Sequence, residues 1–321
     1  MFQQNALSAR SSRPGSRRQF LGQLTVCAAA LSARAAAAET PPPGRLAGNH
    51  YPWLVYFRRD GREFGKHLDA DLQEVADSGL NDFEPMATAP DQITRFGESL
   101  KAHGLGMYSL YVNSTLHEAD TAERSIQEVL AIARAARPFG TRIIVTNPSP
   151  LRWGGPEDKT DAQLETQGRA LERLGRQLHD LGCTLAYHNH DIELRQAARE
   201  FRHMLTGTDP RWVSFCLDAH WIYRGSGNSQ VALFDVVELY ADRIVELHLR
   251  QSKNGIWTEV FSAEGDVDYR RLVAALVRHR VRPWLVLEQA IEKGSPKTLN
   301  ALEAQRRSVQ VARKVFAPLL S

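Results

Sequence analysis

The hydrophobic and polar positions of this chain follow two alternating periods over most of its length. Short apolar runs of strand length are followed by longer stretches in which apolar residues recur with helical spacing. The predicted strands comprise residues 53–57, 80–84, 105–112, 142–146, 183–188, 212–217, 244–249 and 283–288. The helical stretches lie near residues 67–79, 91–103, 119–136, 161–181, 197–206, 230–241, 268–280 and 296–316. Eight alternating pairs predict an α/β fold built as a single (β/α)8, or TIM, barrel.

The first 38 residues have the pattern of an export signal. Ser16–Leu21 reads Ser-Arg-Arg-Gln-Phe-Leu, an apolar run covers Leu24–Leu31, and Ala36–Ala38 provides a small-residue cleavage site. We therefore predict a twin-arginine signal peptide at 1–38 that engages the twin-arginine export machinery. The mature protein is expected in the periplasm or outside the cell.

The remaining chain is divided into a short linker at 39–50, which contains three consecutive prolines, and a catalytic domain at 51–321. The apolar run of the signal is too short to span a bilayer, and no other stretch approaches the required 20 or so apolar residues. No membrane span is therefore expected. A mature chain of 283 residues is close to the roughly 250 that a TIM barrel needs.

Charge and cysteine content narrow the possible functions. The full chain carries a formal net charge of +3, but the signal contains five arginines and no acidic residue, so the mature chain carries −2. Nucleic acid is therefore not an expected partner, because the electrostatic attraction is missing. Alternation along the strands turns Cys183 outward and Cys216 inward, so core packing is expected for both thiols and no disulfide.

Four consecutive predicted strands end in a residue that could bind a metal. These residues are His188, Asp218, His248 and Glu288, separated by 30, 30 and 40 residues, each about the length of one strand, helix and connecting loops. In a parallel barrel the carboxyl ends of the strands meet at one face, where the active site lies. Two imidazoles and two carboxylates suit a divalent cation such as Mn²⁺, Co²⁺, Zn²⁺, Fe²⁺ or Mg²⁺.

Other polar residues occupy strand ends of the same face. The second strand ends at Glu84, and the third and fourth lead to Asn113 and Asn147. His190 has the same parity as His188 and is the alternative metal ligand of the fifth strand. Glu246 shares the parity of His248 and is interpreted as a polar group inside the barrel.

Four motifs together resemble the xylose isomerase-like TIM-barrel superfamily. This group contains sugar phosphate isomerases and epimerases, inosose dehydratases and isomerases, and AP endonucleases. The resemblance implies a divalent metal held by one residue from each of strands five to eight, the same positions chosen above from spacing. The motifs are Tyr187–Glu193, Asp218–Trp221, His248–Arg250 and Glu264–Asp268.

Three departures from that pattern bear on mechanism. His188 stands where many relatives have glutamate. Arg250 stands in place of a lysine, and Gln251 and Ala290 each stand in place of an aspartate. The resemblance implies facing glutamate bases in epimerases, and this chain lacks one of them. Glu288 is then the predicted carboxylate base, with His188 or His190 as the acid or proton shuttle.

Substrate contacts are predicted for Glu84, Glu193, Trp221, Arg250 and Trp257. The two tryptophans could form an apolar wall against a sugar, or Trp257 could pack beneath loops. Glu193 could instead form a solvated or helix-capping pair with Arg195.

The predicted function is that of an exported, metal-dependent isomerase or epimerase that works through an enediolate on a small carbohydrate. The first alternative is a hydro-lyase or lyase that acts on a 3-keto-sugar or keto-inositol. The second is a non-catalytic periplasmic sugar-binding protein.

Overall fold

Eight parallel strands form the barrel in a computed structural model that describes residues 41–321. The strands are β1 Ala47–Asn49, β2 Asp82–Glu84, β3 Ser109–Tyr111, β4 Ile143–Thr146, β5 Thr184–His188, β6 Ser214–Asp218, β7 Ile244–Leu249 and β8 Trp284–Leu287. Their order is β2-β1-β8-β7-β6-β5-β4-β3, and isolated parallel bridges between Asp82 and Gly106 and between Met86 and Tyr111 join β2 to β3. The predicted TIM barrel is therefore confirmed.

The helices surround the strands as the 3.6-residue period predicted. A two-stranded hairpin, Ser252–Lys253 with Ile256–Trp257, follows β7 at the carboxyl face of the barrel. The helices are α1 His50–Arg59, α2 Leu68–Asp77, α3 Pro90–Ala102, α4 Ala119–Ala136, α5 Asp161–Asp180, α6 Arg195–Thr206, α7 Ala219–Gly225, α8 Gln230–Tyr240, α9 Tyr269–His279, α10 Ala301–Val315 and α11 Ala317–Leu320.

The first predicted strand is wrong. Residues 53–57 lie inside α1, which begins after Asn49, whose side chain accepts a hydrogen bond from the backbone N–H of Tyr51 at 2.7 Å. The apolar run suggested a buried strand because Trp53, Tyr56 and Phe57 are all buried, but they lie on one face of a helix. The true strand, β1, has only three residues and falls within the segment predicted as linker.

Alternation in the strands separates two apolar layers. Leu185 and Tyr187 of β5 face outward into the large core between strands and helices, whereas Ala186 belongs to a smaller cluster inside the barrel. Cys183 packs in the outer layer and Cys216 in the inner one, and both are free thiols, as predicted. The same alternation turns His188 toward the interior at the carboxyl end.

The predicted signal peptide lies outside the described residues, and a membrane span can be sought only within them. The signal peptide at 1–38 precedes residue 41, so it stays a prediction. Within the part of the chain that the structure describes, no helix is both long and apolar enough to cross a membrane.

Candidate active site

The four predicted metal ligands meet at the carboxyl face of the barrel. One potential ligand atom from each of His188, Asp218, His248 and Glu288 lies within 4.8 Å of the others, and all four residues are buried. Register explains part of this convergence, because Asp218 of β6 is the direct partner of His248 of β7. His188 is in the group and His190 is not, which favours His188 as the ligand from β5.

Several atoms of this group have no partner among the described residues. Both ring nitrogens of His188 and Oδ2 of Asp218 are buried without a hydrogen bond, and the Nε2–Oδ2 distance of 3.9 Å is too long to provide one. Leaving such groups unpaired costs roughly 1–3 kcal/mol each. Unpaired nitrogen and carboxylate oxygen atoms in a group whose ligand atoms lie within 4.8 Å of one another form a donor set that fits a divalent cation.

Asp218 is both a candidate metal ligand and the N-cap residue of a helix. Its Oδ1 accepts a hydrogen bond from the backbone N–H of Trp221 at 2.8 Å and so caps helix α7. The other oxygen remains free toward His188. The cap fixes the carboxylate in one orientation, which is what a metal ligand requires.

Glu288 is held by a histidine and an arginine. Its Oε2 lies 3.1 Å from Nδ1 of His248 and 2.8 Å from Nη2 of Arg250. Burial alone would raise the pKa of Glu288, but Arg250 and His248 outweigh that effect and lower it to about 2. Glu288 is therefore ionised at neutral pH.

Two further carboxylates lie on the other side of His248, inside the barrel. Its Nε2 lies 3.0 Å from Oε1 of Glu246 and 3.2 Å from Oε1 of Glu84. Glu84 also accepts hydrogen bonds from Asn49 Nδ2 and Ser109 Oγ, both at 2.7 Å. Burial, together with the nearby Glu84 charge, raises the pKa of Glu246 well above its usual value. The structure thus places Glu84 beneath His248, in contact with protein groups, and confirms Glu246 as a barrel-interior polar residue.

The loop after β5 carries His190 close to the centre. The rings of His188 and His190 are 4.8 Å apart, and Nδ1 of His190 is buried without a partner among the described residues. Glu193 is buried, not solvated: it accepts from the His190 backbone N–H at 2.7 Å and from Asn147 Nδ2 at 3.0 Å. Burial raises the pKa of Glu193 to about 7. The contacts of Glu193 hold His190 in place. Asn113, to which the third predicted strand leads, is exposed.

Aromatic rings form the wall above Glu288. The rings of Trp221 and Trp257 are 5.6 Å apart, and the buried guanidinium of Arg250 lies 4.3 Å from the Trp257 ring and 5.3 Å from the Trp221 ring. Trp257 is buried and Trp221 is partly exposed. The wall thus includes both predicted tryptophans and fixes Arg250 by cation–π contact.

Sequence analysis did not predict Tyr51, Trp153 or Tyr111 as residues of the site, and the Tyr111 ring lies 5.4 Å from that of His188. The ring of Tyr51 lies 5.8 Å from Arg250, and the ring of Trp153 lies 5.1 Å from that of His190. Tyr51 was assigned to the linker boundary because β1 was misplaced. Trp153 stands alone in a Gly- and Pro-rich loop, where the only available signal was an isolated large aromatic after a barrel strand.

The fold and this strand-end site together define the class of protein. Residues 72–314 match the family model described as the xylose isomerase-like TIM barrel, and the chain belongs to that family.

Curated relatives are named inosose dehydratases. The protein of Geobacillus kaustophilus is 23% identical over 257 residues, which are 70% of this chain and 81% of the relative. The protein of Bacillus velezensis is 26% identical over 161 residues, or 45% of this chain, and the match spans about half of that relative, 52%.

Solved structures share the barrel. A sugar phosphate isomerase/epimerase from Parabacteroides distasonis has a TM-score of 0.65 at 18% identity, covering 90% of this chain and 99% of its own. The 3-keto-D-glucoside 4-epimerase of E. coli has a TM-score of 0.64 at 13% identity, and the match covers 84% of this chain and 99% of that protein. The IolI protein, described with a bound zinc atom, has a TM-score of 0.63 at 14% identity, and the match covers 86% of this chain and 99% of that protein. At these identities the likeness shows the fold alone.

Proposed function

We propose that this protein is an exported, divalent-metal-dependent sugar isomerase or epimerase that acts at a carbon next to a carbonyl. The convergence of His188, Asp218, His248 and Glu288, with buried ligand atoms left unpaired, carries the proposal. Family membership supports the reaction class, since relatives and structural neighbours are named as dehydratases, isomerases and epimerases of sugars or cyclitols.

The four strand-end residues are the ones that would hold the metal. When bound, the ion would act as a Lewis acid toward a carbonyl and a neighbouring hydroxyl of the substrate, which lowers the cost of enediolate formation. The zinc described in the structurally similar IolI protein supports a divalent ion, and the donor set is compatible with Mn²⁺, Co²⁺, Zn²⁺ or Mg²⁺.

Proton transfer is assigned to Glu288 and His190. Both strand-end carboxylates have one oxygen in contact with protein groups, but burial raises the pKa of Asp218 to about 7, whereas Arg250 and His248 keep Glu288 ionised. Glu288 is therefore assigned as the group that takes a proton from carbon. His190 borders His188 and presents a buried nitrogen that has no partner within residues 41–321, which suits an acid or shuttle for a substrate oxygen. Arg250 can orient the same oxygen through its remaining N–H groups.

A hydro-lyase acting on a 3-keto-sugar or keto-inositol is the second candidate function. Elimination needs one base on carbon and one acid at the leaving hydroxyl, and Glu288 with His190 supplies that pair. The relatives named inosose dehydratase favour this reaction. A non-catalytic sugar-binding protein would not need four ligand-competent residues at one point.

Metal analysis combined with proton exchange tests the proposal. Protein purified from the periplasm should contain about one divalent ion, and Asp218→Asn and His248→Ala should lose it while keeping the wild-type circular dichroism spectrum. Asp235→Asn, a change in an exposed carboxylate on α8, should keep the ion. Retention of stoichiometric metal and activity in both site variants would show that the centre is wrongly assigned.

Deuterium exchange in keto-sugars, followed by NMR, identifies the carbon base. Glu288→Gln should reduce exchange by at least about 100-fold, because a positioned base contributes roughly that much. His190→Gln should slow oxygen protonation or water loss more than carbon exchange. Exchange that survives in Glu288→Gln would make a histidine the base. Water loss would assign the dehydratase, and binding without exchange would indicate the non-catalytic alternative.

A further inference from the structure

Trp153 is an exposed aromatic residue at the edge of the candidate active site. It lies between β4 and α5, and 54% of its surface is exposed. Within residues 41–321 it is the only aromatic among the large hydrophobic residues classed as exposed. Its ring meets that of His190 edge-on, at 5.1 Å and 82°. An indole kept in water beside a polar site indicates a binding surface more than core packing.

Polar contacts hold the loop that carries Trp153. Gly155 O accepts a hydrogen bond from Arg195 Nη1 at 2.9 Å, and Ser149 N–H donates to Ser114 O at 2.7 Å. The buried ammonium of Lys159 donates to Pro148 O at 3.3 Å and pairs with Glu200 at 2.6 Å. The loop is therefore positioned from the segment after β3 and from α6 without requiring burial of the indole. Such a preorganised ring loses little entropy when a ligand packs on it.

A series of rings connects the metal ligands to this exposed surface. His188 is fully buried, His190 lies 4.8 Å from it, and Trp153 is the next ring beyond His190. Trp221 lies on another side of His190, at 5.7 Å. A substrate with its reacting carbon between Glu288 and His188 that extended past His190 would therefore meet the indole of Trp153. A single sugar ring held at the metal ligands would leave the indole in water.

We propose that Trp153 forms a second subsite that binds the part of a glycoside beyond the reacting ring. This inference rests on the proposed function and narrows its substrate class from free sugars to glycosides. The recognised chemistry is a flat, apolar face, which both a second sugar ring and an aromatic aglycone present to an indole. Leu151, which is 41% exposed in the same loop, extends the apolar surface.

Binding of unreactive sugars tests the subsite directly. The probes are phenyl glucoside, cellobiose and D-glucose, measured by saturation-transfer NMR and titration calorimetry against wild type, Trp153→Ala and Trp153→Phe. Trp153→Ala should weaken binding of at least one glycoside about tenfold and change D-glucose binding less than twofold. Trp153→Phe should restore most of the loss, and Leu239→Ala, an exposed apolar residue on α8, should have no effect.

The two glycosides separate the sources of the flat face. If Trp153→Ala weakens the binding of phenyl glucoside alone, the subsite binds an aromatic aglycone. If it weakens the binding of cellobiose alone, the subsite binds a second sugar, and if it weakens both, the subsite accepts either group. Equal loss for D-glucose, or no loss for either glycoside, overturns the subsite.

These probes also separate failure of the subsite from failure of the proposed function. A wild-type protein that binds glycosides through Trp153 but exchanges no proton in any keto-sugar would refute the catalytic proposal and leave the subsite standing. With an active enzyme, Trp153→Ala should raise KM for a keto-glycoside about tenfold with kcat within twofold. An unchanged KM for the keto-glycoside would refute the subsite alone.

Discussion

At the scale of single residues, His248 connects two polar layers of the barrel. Its Nδ1 faces Glu288, one of the candidate metal ligands, whereas its Nε2 faces Glu246 and Glu84 in the interior. A carboxylate that accepts from the second nitrogen of a ligand histidine fixes the ring orientation and makes the first nitrogen a better ligand. Glu84 also accepts from two other side chains, Asn49 and Ser109, whereas Glu246 accepts only from His248 and, at 3.7 Å, from the Cys216 thiol among the described residues.

Replacing Glu246 should weaken metal binding without removing a ligand. We expect Glu246→Leu to lower the affinity for a divalent ion about 10- to 100-fold, the usual effect of losing such a support. Glu246→Gln should show a smaller loss, since its amide oxygen still accepts a hydrogen bond from His248. Competition titration with a chelating dye measures both, with Asp235→Asn as the control. Wild-type affinity in a folded Glu246→Leu protein would contradict this role.

At the scale of elements, helix α1 buries a histidine in an aromatic cage. The ring of His50 lies 4.9 Å from Phe64, 5.5 Å from Phe83 and 5.4 Å from Phe96, and its Nδ1 accepts a hydrogen bond from the Met86 N–H at 3.2 Å. Burial lowers the pKa of His50 to about 4. The native protein thus holds this imidazole neutral, and the contact links α1 to the end of β2.

Because of His50, the free energy of unfolding should decrease as the pH is lowered. The unfolded chain binds this proton near pH 6.5 and the folded chain only near pH 4, so the contribution is complete above pH 6.5 and is lost as pH falls toward 4. Between pH 7.5 and pH 5 this amounts to about 2 kcal/mol of unfolding free energy. Urea unfolding should show that much less pH dependence in His50→Asn, whose amide oxygen is as far along the side chain as Nδ1 and can still accept from the Met86 N–H. Identical pH dependence in both proteins would show that His50 titrates normally.

At the scale of the whole molecule, the proposed centre exists only when the barrel is complete. Its ligands come from four strands spread over 100 residues, from His188 to Glu288, and each needs its neighbours for position. Export of an already folded protein suits such a site, because metal can then be bound before the protein leaves the cytoplasm. This reasoning agrees with the predicted twin-arginine signal, which precedes the described residues.

The export route is testable by a conservative change. Replacing Arg17 and Arg18 together by lysine should keep the protein in the cytoplasm, since the charge remains but the paired guanidinium groups of the motif are lost. Arg13→Lys, outside the motif, is the matched control. Cell fractionation and immunoblotting follow the mature chain. If the double-lysine variant still reaches the periplasm, the twin-arginine assignment is wrong.

The barrel and the convergence of the four candidate ligands were readable from the sequence because both depend on local patterns. Strand and helix periods report which side of each element is buried, and a polar residue that ends an apolar run lies at a strand exit wherever the strand packs. His188, Asp218, His248 and Glu288 were found in this way. The same signal failed for β1, whose three residues are too few to show a period, and the apolar run of α1 was taken for the strand.

Contacts between distant residues were decided only by the tertiary structure. Strand register and barrel closure place Glu84 and Glu246 against the same nitrogen of His248, and they leave one oxygen of Asp218 free while the other caps α7. The course of the loop after β4 brings Trp153 to His190. No local period encodes these pairings, because each depends on the relative positions of elements that are separated by tens of residues in the chain.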